Sequence, residues 1–298
     1  MKNKNKTRSS YQKLRDSKIY FVVHELAQRS SKDRVTVSAA ALSFHGVLAF
    51  FPAVVSLIGI LHLMGLNSKN TETVVHYITL ILPAQAATVV TGAIKTREAT
   101  GASTLEVILG TIVALWSLTG AIASMQVGLD LAYEIPKDRS FIKRRLSSVP
   151  LVGVSLLFIL AIFIDLIGGT FLIRHITSID SGVTFGFLGG ILDIARLIIA
   201  IMLALILLSV YYSFGSAKKT PIKDFFNIKT LFSYGSLVAV VAWVISLFGF
   251  SLYLTHFSNT TKTYGLFGSI IVMMLWLYIT SYFLFLGAEM NARVSSKV

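Results

Sequence analysis

The chain has 298 residues, of which 54% are hydrophobic and only 14% are charged. A soluble domain carries about 25% charged residues, so this composition excludes a soluble globular protein and indicates that lipid surrounds much of the chain. The formal net charge of +13 indicates basic cytoplasmic loops in a membrane protein, and we predict no nucleic-acid partner. Cysteine is absent, which excludes disulfides, thiolate metal sites and thiol nucleophiles.

The first part of the chain, residues 1–36, is polar and basic and contains no cleavable secretory signal. Within it, apolar residues alternate with basic ones over 11–34. This pattern predicts either a helix lying on the inner leaflet, held by anionic lipid, or a solvated basic tail.

Six apolar segments follow, and each is long enough to cross the hydrocarbon core as a helix, which needs about 20 residues. Barrel strands are excluded because the segments lack an alternating pattern. We therefore predict an all-α, polytopic membrane helix bundle with a membrane domain over 37–290 and a cytoplasmic tail over 291–298. The predicted spans are 39–64, 105–125, 149–173, 183–214, 231–257 and 265–288.

The positions of lysine and arginine orient these spans. Residues 1–36, the loops 126–148 and 215–230 and the tail together carry 21 of them, whereas the other three connections carry five. Because basic loops stay in the cytoplasm, both termini are predicted to be cytoplasmic. The long first outer connection, 72–97, is interrupted by Pro83 and is too polar for a span. We predict amphipathic helices there, either interfacial or dipping into the bilayer (re-entrant) over 74–94.

Ionisable residues inside the predicted spans are candidates for a substrate or ion pathway, because burying charge in hydrocarbon is costly. Asp165 in the third span and Asp193 in the fourth fall at similar predicted depth, and Arg196 shares a helix face with Asp193. The three form either a substrate-contacting cluster or a structural ion pair that pins two helices. His45, near the inner end of the first span, is either a pathway residue or a helix-packing hydrogen bond.

Two further features of the spans have simpler interpretations. Gly120, Ser124 and Gly128 are spaced by four, a pattern typical of close helix packing within a bundle or between subunits. Glu289, at the inner end of the last span, is interpreted as a solvated or locally paired interfacial acid. The sequence contains no His-Glu-x-x-His motif, phosphate-binding glycine loop or nucleophile elbow. We therefore predict no enzyme, no catalytic residues, no metal and no cofactor.

Several short motifs carry a resemblance to a known family. They are AAALSF at 39–44 with Phe51-Pro52, LWS at 115–117, RSF at 139–141, TYG at 263–265, LWLY at 275–278 and LGAEMN at 286–291. With them the chain resembles the YihY/BrkB family of bacterial inner-membrane proteins, once labelled ribonuclease BN, over nearly all of 30–295. The resemblance implies a six-helix membrane fold with both ends inside, and the link of some relatives to lipid-precursor export implies transport. It supplies no catalytic residues.

The leading hypothesis is a multi-pass bacterial plasma-membrane protein that acts as a non-ATP-driven transporter or translocator of lipid or anionic solute. Arg196 is the candidate for holding an anionic head group, with the aspartates tuning it or carrying a coupling cation. The alternatives are a structural protein that organises an envelope complex and a membrane-associated ribonuclease. The expected partners are membrane lipids, with anionic lipid at the basic cytoplasmic loops, and a second copy of the chain in a homo-oligomer.

Overall fold

The computed structural model describes residues 18–63, 87, 91–92, 104–136, 139–179, 183–217, 221, 225–257 and 259–295. Over these residues the chain is helical and contains no strand, and six helices are long and apolar enough to cross a membrane. The predicted all-α bundle with six spans is confirmed. The amphipathic helices predicted for the first outer connection lie outside the described residues, apart from Ala87, Thr91 and Gly92, which are helical.

The helices follow one another with short connections wherever both sides are described. In chain order they are α1 (Lys18–Lys32), α2 (Val35–Leu63), α3 (Thr104–Ala132), α4 (Phe141–Ile179), α5 (Val183–Val210), α6 (Ile228–Leu231), α7 (Tyr234–Phe257) and α8 (Asn259–Ser295). A π-helical turn, Tyr211–Gly215, continues α5. The most extensive packing joins α2 to α3, α7 to α8 and α8 to α2.

One end of the bundle collects most of the described polar contacts between helices. Six parts of the chain come together there: the starts of α2, α4 and α7, the ends of α3 and α8, and the π-helical turn. We call it the basic end, because α1 and the loop before α4 bring their arginines and lysines to it. It corresponds to the predicted cytoplasmic end, and the orientation in the membrane stays a prediction.

The hydrophobic core also lies toward the basic end. Its fully buried members include Met125 and Leu129 of α3 and Phe285 and Ala288 of α8. Large apolar side chains elsewhere point outward, and Ile164 and Phe248 are 63% and 71% exposed. A bundle of this size leaves such surface uncovered only where lipid, rather than water, surrounds it.

The helices α3, α4 and α8 are longer than the apolar spans predicted from the sequence, whereas α7 begins three residues later than predicted. α3 continues to Ala132, and α4 begins at Phe141, because the charged residues that flank the apolar runs are helical themselves. Two turns next to these helix ends use a left-handed backbone conformation at a residue other than glycine. Arg34, between α1 and α2, and Glu134, after α3, both have φ of 52°. The Lys32 ammonium lies 2.6 Å from the Glu134 carboxylate and so joins the two turns.

Candidate functional site

Asp130 is the centre of a charged network at the basic end. Its Oδ1 accepts hydrogen bonds from the backbone N–H of Ala217 at 2.7 Å and from Nη2 of Arg139 at 3.1 Å. Nη2 of Arg144 lies 3.7 Å from its Oδ2. All three side chains are largely buried, so this one carboxylate ties the end of α3 to the start of α4 and to the segment after the π-helical turn.

Arg139 connects Asp130 to Gly215 and Ser147. Its Nη2 also donates to the carbonyl oxygen of Gly215 at 2.8 Å, and its Nη1 donates to Oγ of Ser147 at 3.1 Å. Ser147 in turn donates to Oε1 of Gln126 at 3.1 Å. Gln126 is fully buried, and its Nε2 has no hydrogen-bond partner. One carboxylate, that of Asp130, thus contacts two guanidinium groups.

Arg145 lies apart from Asp130 and reaches along α3 toward its middle. Its Nη2 donates to the carbonyl oxygen of Trp116 at 2.9 Å, and the guanidinium lies 4.4 Å from the centre of the Trp116 ring. A Cβ atom at position 120 would lie 2.7 Å from Nη1 of Arg145, so Gly120 provides the space for the guanidinium. Gly120 is at the middle of the apolar stretch Val107–Ala132. The guanidinium therefore lies beside the apolar stretch of α3, away from the end of that helix.

The partners of Arg145 are all neutral. No carboxylate of the described chain lies within ion-pair distance of it, and its contacts are the Trp116 carbonyl and ring. Trp116 is 62% exposed, so the stacked pair faces the lipid-exposed surface between α3 and α4. A cation held against an exposed indole in this way is open to an anion that approaches from the lipid.

His45 of α2 also lies next to Gly120. Its Nδ1 is 2.9 Å from the carbonyl oxygen of Ala41 and 3.1 Å from Oγ of Ser124. A protonated Nδ1 donates to the carbonyl, whereas a bare Nδ1 accepts from the Ser124 hydroxyl. A Cβ atom at position 120 would also lie 3.4 Å from Cδ2 of His45. The small residues Gly120 and Ser124 therefore serve packing within the chain and bring His45 close to Arg145.

The first turns of α4 place their apolar side chains outward and their arginines inward. Phe141, Ile142 and Leu146 are 73%, 69% and 68% exposed, whereas Arg144 and Arg145 are partly buried against the other helices. An apolar outer face of this kind suits the acyl chains of a leaflet. The start of α4 is thus a boundary between lipid and the charged interior.

A second ionisable group lies where α8 ends against the turn between α1 and α2. Glu289 is 0% exposed, and neither carboxylate oxygen has a hydrogen-bond donor. The sequence-based interpretation of Glu289 as a solvated or locally paired acid is therefore wrong. Its carboxyl group faces that of Asp33 closely enough for a shared hydrogen bond, and Oδ2 of Asp33 is also buried without a donor.

The surroundings of this carboxyl pair are charged but already paired. Arg293 lies 2.7 Å and Arg29 3.7 Å from the Glu25 carboxylate. Burial raises the pKa of Asp33, partly opposed by the nearby Lys32 ammonium. Tyr133 lies near Glu289, and burial raises its pKa well above the usual value.

The residues predicted to line a pathway are distributed over two regions. His45 belongs to the Arg145 region, whereas Asp165 and Arg196 lie on the adjacent, packed helices α4 and α5. Oδ2 of Asp165 is buried without a hydrogen-bond partner, and both residues are partly buried. The side chain of Asp193 lies outside the described residues, so their proposed meeting stays a prediction.

An apolar cleft of about 600 Å³ lies between α7 and α8 and reaches the start of α2. Its walls are mainly aromatic and aliphatic, with Phe250, Tyr253, Tyr278 and Tyr282 among them. Such a cleft accommodates hydrocarbon and offers few groups for a polar ligand. Within the described part of the chain, no three histidine, aspartate or glutamate side chains are grouped to hold a metal ion.

Sequence reasoning missed Asp130, Arg139, Arg145 and the Asp33–Glu289 pair. The arginines were counted only as loop charge that orients the spans. The available signal was the presence of Asp130 inside the last turn of an apolar helix, close in sequence to those arginines. For Glu289 the signal was an acid flanked by small and apolar residues at 286–290.

Comparison with known proteins gives one family. The family model described as virulence factor BrkB matches residues 26–298. A protein of Bacillus subtilis (strain 168) named as the ribonuclease-like protein YfkH is 28% identical over 269 residues, which cover 90% of this chain and 93% of that protein. No solved structure matches.

Proposed function

The chain belongs to the virulence factor BrkB family, and on that premise we propose that it moves a lipid or another anionic amphiphile across the bacterial plasma membrane without ATP. Six membrane-crossing helices make it a multi-pass membrane protein. The proposal concerns what the bundle does there. The sequence contains no phosphate-binding glycine loop that would bind ATP.

The observation that carries the proposal is the position of Arg145. Its guanidinium lies at the level of Gly120, in the middle of an apolar stretch, with neutral partners in the described chain. Placing a cation among apolar residues of a membrane bundle costs free energy, most at the centre of a helix and less toward its ends. A phosphate or carboxylate head group that binds it bidentately offsets that cost, because charge-assisted hydrogen bonds are strong in a medium of low dielectric constant.

The geometry around Arg145 supports an amphiphile rather than a small soluble anion. The site opens beside the exposed Trp116 ring, and the outward side chains of Phe141, Ile142 and Leu146 lie along the start of the same helix as Arg145. A lipid places its chains against such apolar surface while its head group reaches the cation. His45, also next to Gly120, supplies a polar group at the same level.

Asp165, Asp193 and Arg196 remain candidates for a second binding site on the pathway. Arg196 and Asp165 are partly buried on the packed pair α4 and α5. In this proposal Arg145 and Arg196 bind the same head group in succession. Asp165 and Asp193 then release the head group by competing with it for Arg196. Anionic lipid at the basic end and a homo-oligomeric assembly belong to the same proposal.

Two other functions are separated from this one by experiment. A structural, envelope-organising protein would show no lipid movement in purified form. The ribonuclease-like name of the Bacillus subtilis relative favours RNA hydrolysis as the other candidate. RNA cleavage that follows this protein through purification, and that is lost when His45 or Asp193 is changed, would support that function.

The test is lipid movement in proteoliposomes prepared without ATP. Acyl-labelled phosphatidylglycerol and phosphatidylcholine are compared, and a membrane-impermeant reductant quenches the outer leaflet. We expect the wild type to move the anionic lipid faster than protein-free vesicles do. We expect Arg145→Gln to lower that rate about tenfold, because a hydrogen bond to a charged group contributes about 1.5–3 kcal/mol.

The matched control is Lys143→Gln, which removes the same charge from an exposed position two residues earlier. It should retain the wild-type rate within about twofold, since exposed charges contribute little. Wild-type rates equal to those of empty vesicles would refute the proposed function. Equal rates for Arg145→Gln and Lys143→Gln would refute the site.

A further inference from the structure

Among the described residues, Glu289 is a fully buried acid that the proposed function does not use. Glu289 on α8 is 0% exposed, and both of its carboxylate oxygens lack a donor. Asp33 faces it from the turn between α1 and α2 and is itself partly exposed. The buried acid is thus aimed at a second carboxyl group that has access to water.

Two carboxylates in this arrangement repel each other, and neither has a donor among the described residues. One proton between them removes the repulsion and supplies the missing hydrogen bond, since a protonated carboxyl donates and an ionised one accepts. This reconciles two observations, namely that the ionised oxygens lack partners and that the groups lie within hydrogen-bonding reach.

The charges that face the pair come from three elements. Arg29 and Lys32 lie on α1, Glu134 lies in the turn after α3, and Arg293 lies on α8. Glu25 of α1 lies between Arg29 and Arg293, and Lys32 is 2.6 Å from Glu134.

We propose that Asp33 and Glu289 form a proton-binding site, exchanging with water through Asp33, and that its proton is the coupling ion of the translocator. The second half rests on the proposed function, whereas proton binding does not. Loss of the proton leaves two negative charges between the α1–α2 turn and the end of α8. Their repulsion weakens the contact of that turn with α8, so the proton controls the packing of the basic end.

The direct test is infrared spectroscopy of the purified full chain. We expect the wild type at neutral pH to show the C=O band of a buried protonated carboxyl group, which disappears as the pH rises. Glu289→Gln and Asp33→Asn should each remove the band. Glu134→Gln is the matched control, because this exposed carboxylate belongs to the same cluster and its pKa is lowered by the hydrogen bond from Lys32; it should retain the band.

Thermal unfolding in detergent provides a second readout. The pKa of Asp33 is raised by folding, so the stability it contributes is present at low pH and is lost as the pH rises through the raised value. We expect the unfolding midpoint of the wild type to fall by about 2–4 °C across this range. Glu289→Gln, which resembles the protonated acid, should fold and show a smaller fall.

The outcomes separate the two halves of the proposal. Absence of a protonated band in the wild type, or its persistence in both variants, would refute the proton site whatever the protein transports. If the band behaves as expected, lipid movement in proteoliposomes is measured with and without a pH gradient. Acceleration by the gradient in the wild type but not in Glu289→Gln supports coupling. A rate of lipid movement that does not change with the pH gradient refutes coupling and leaves the proposed function intact.

Discussion

At the scale of single residues, glycine determines how closely α7 and α8 approach at the basic end. A Cβ atom at Gly235 would meet the backbone carbonyl oxygen of Gly287, and one at Gly287 would lie 2.5 Å from the carbonyl oxygen of Gly235. The backbone N–H of Gly235 also donates to Oδ1 of Asn291 at 2.8 Å. The contacting atoms belong to backbone and cannot rotate away, so only hydrogen fits at either position.

We therefore predict that Gly235→Ala lowers the free energy of unfolding by about 1–3 kcal/mol, the usual cost of overpacking. The unfolding midpoint in detergent measures this. Gly249→Ala is the control on the same helix, because a Cβ atom there meets nothing within 4 Å, and it should be neutral or slightly stabilising. Equal midpoints for the two variants would contradict the close approach.

At the scale of elements, the π-helical turn after α5 positions three separate contacts. The Tyr211 hydroxyl lies 2.6 Å from Oγ of Ser155 on α4, and the Tyr212 hydroxyl donates to the carbonyl oxygen of Leu284 on α8 at 2.8 Å. The carbonyl oxygen of Gly215 accepts from Arg139. An ordinary α-helical turn would rotate these groups to other faces, which explains why the wider turn lies here.

The helix pair α4–α5 holds the predicted Asp165, Asp193 and Arg196 group. We predict that Arg196→Leu alone harms folding, because it removes a positive charge from buried aspartates. The triple change Asp165→Asn, Asp193→Asn and Arg196→Leu should restore folding, since a buried charged group often adds no net stability, yet abolish lipid movement. Size-exclusion behaviour and proteoliposome flux report the two effects. A triple variant with full flux would show that the group is structural.

At the scale of the whole molecule, the contacts fix which helix ends lie together but not which side of the membrane they face. The charge distribution predicts that the basic end is cytoplasmic. The absence of cysteine permits single-cysteine variants with no background labelling. In intact cells, an impermeant maleimide should label Lys95→Cys, Ser178→Cys and Thr261→Cys, because these sites are predicted to lie outside.

The same reagent should label Lys137→Cys and Lys219→Cys only after the membrane is permeabilised. These positions lie in loops whose lysines and arginines predict a cytoplasmic location. Protection of any of the three outer sites, or labelling of either inner site in intact cells, would contradict the predicted topology. The control is the unmodified chain, which should remain unlabelled in both conditions.

The sequence by itself determined that this is a six-helix membrane bundle, because runs of about 20 apolar residues leave a helix as the only way to satisfy the backbone in lipid. It also singled out His45 as a polar residue within a span, either a pathway residue or a helix-packing hydrogen bond. It did not determine the roles of Asp130, Arg145 or Glu289. The sequence pattern of a charged residue beside an apolar run is the same whether its side chain is solvated or packed against protein. Only the tertiary structure decided these roles, because α3, α4 and α8 continue as helices past the apolar runs and their ends pack together. This packing pairs Asp130 with two arginines and leaves Arg145 with neutral partners. It also buries Glu289 against Asp33.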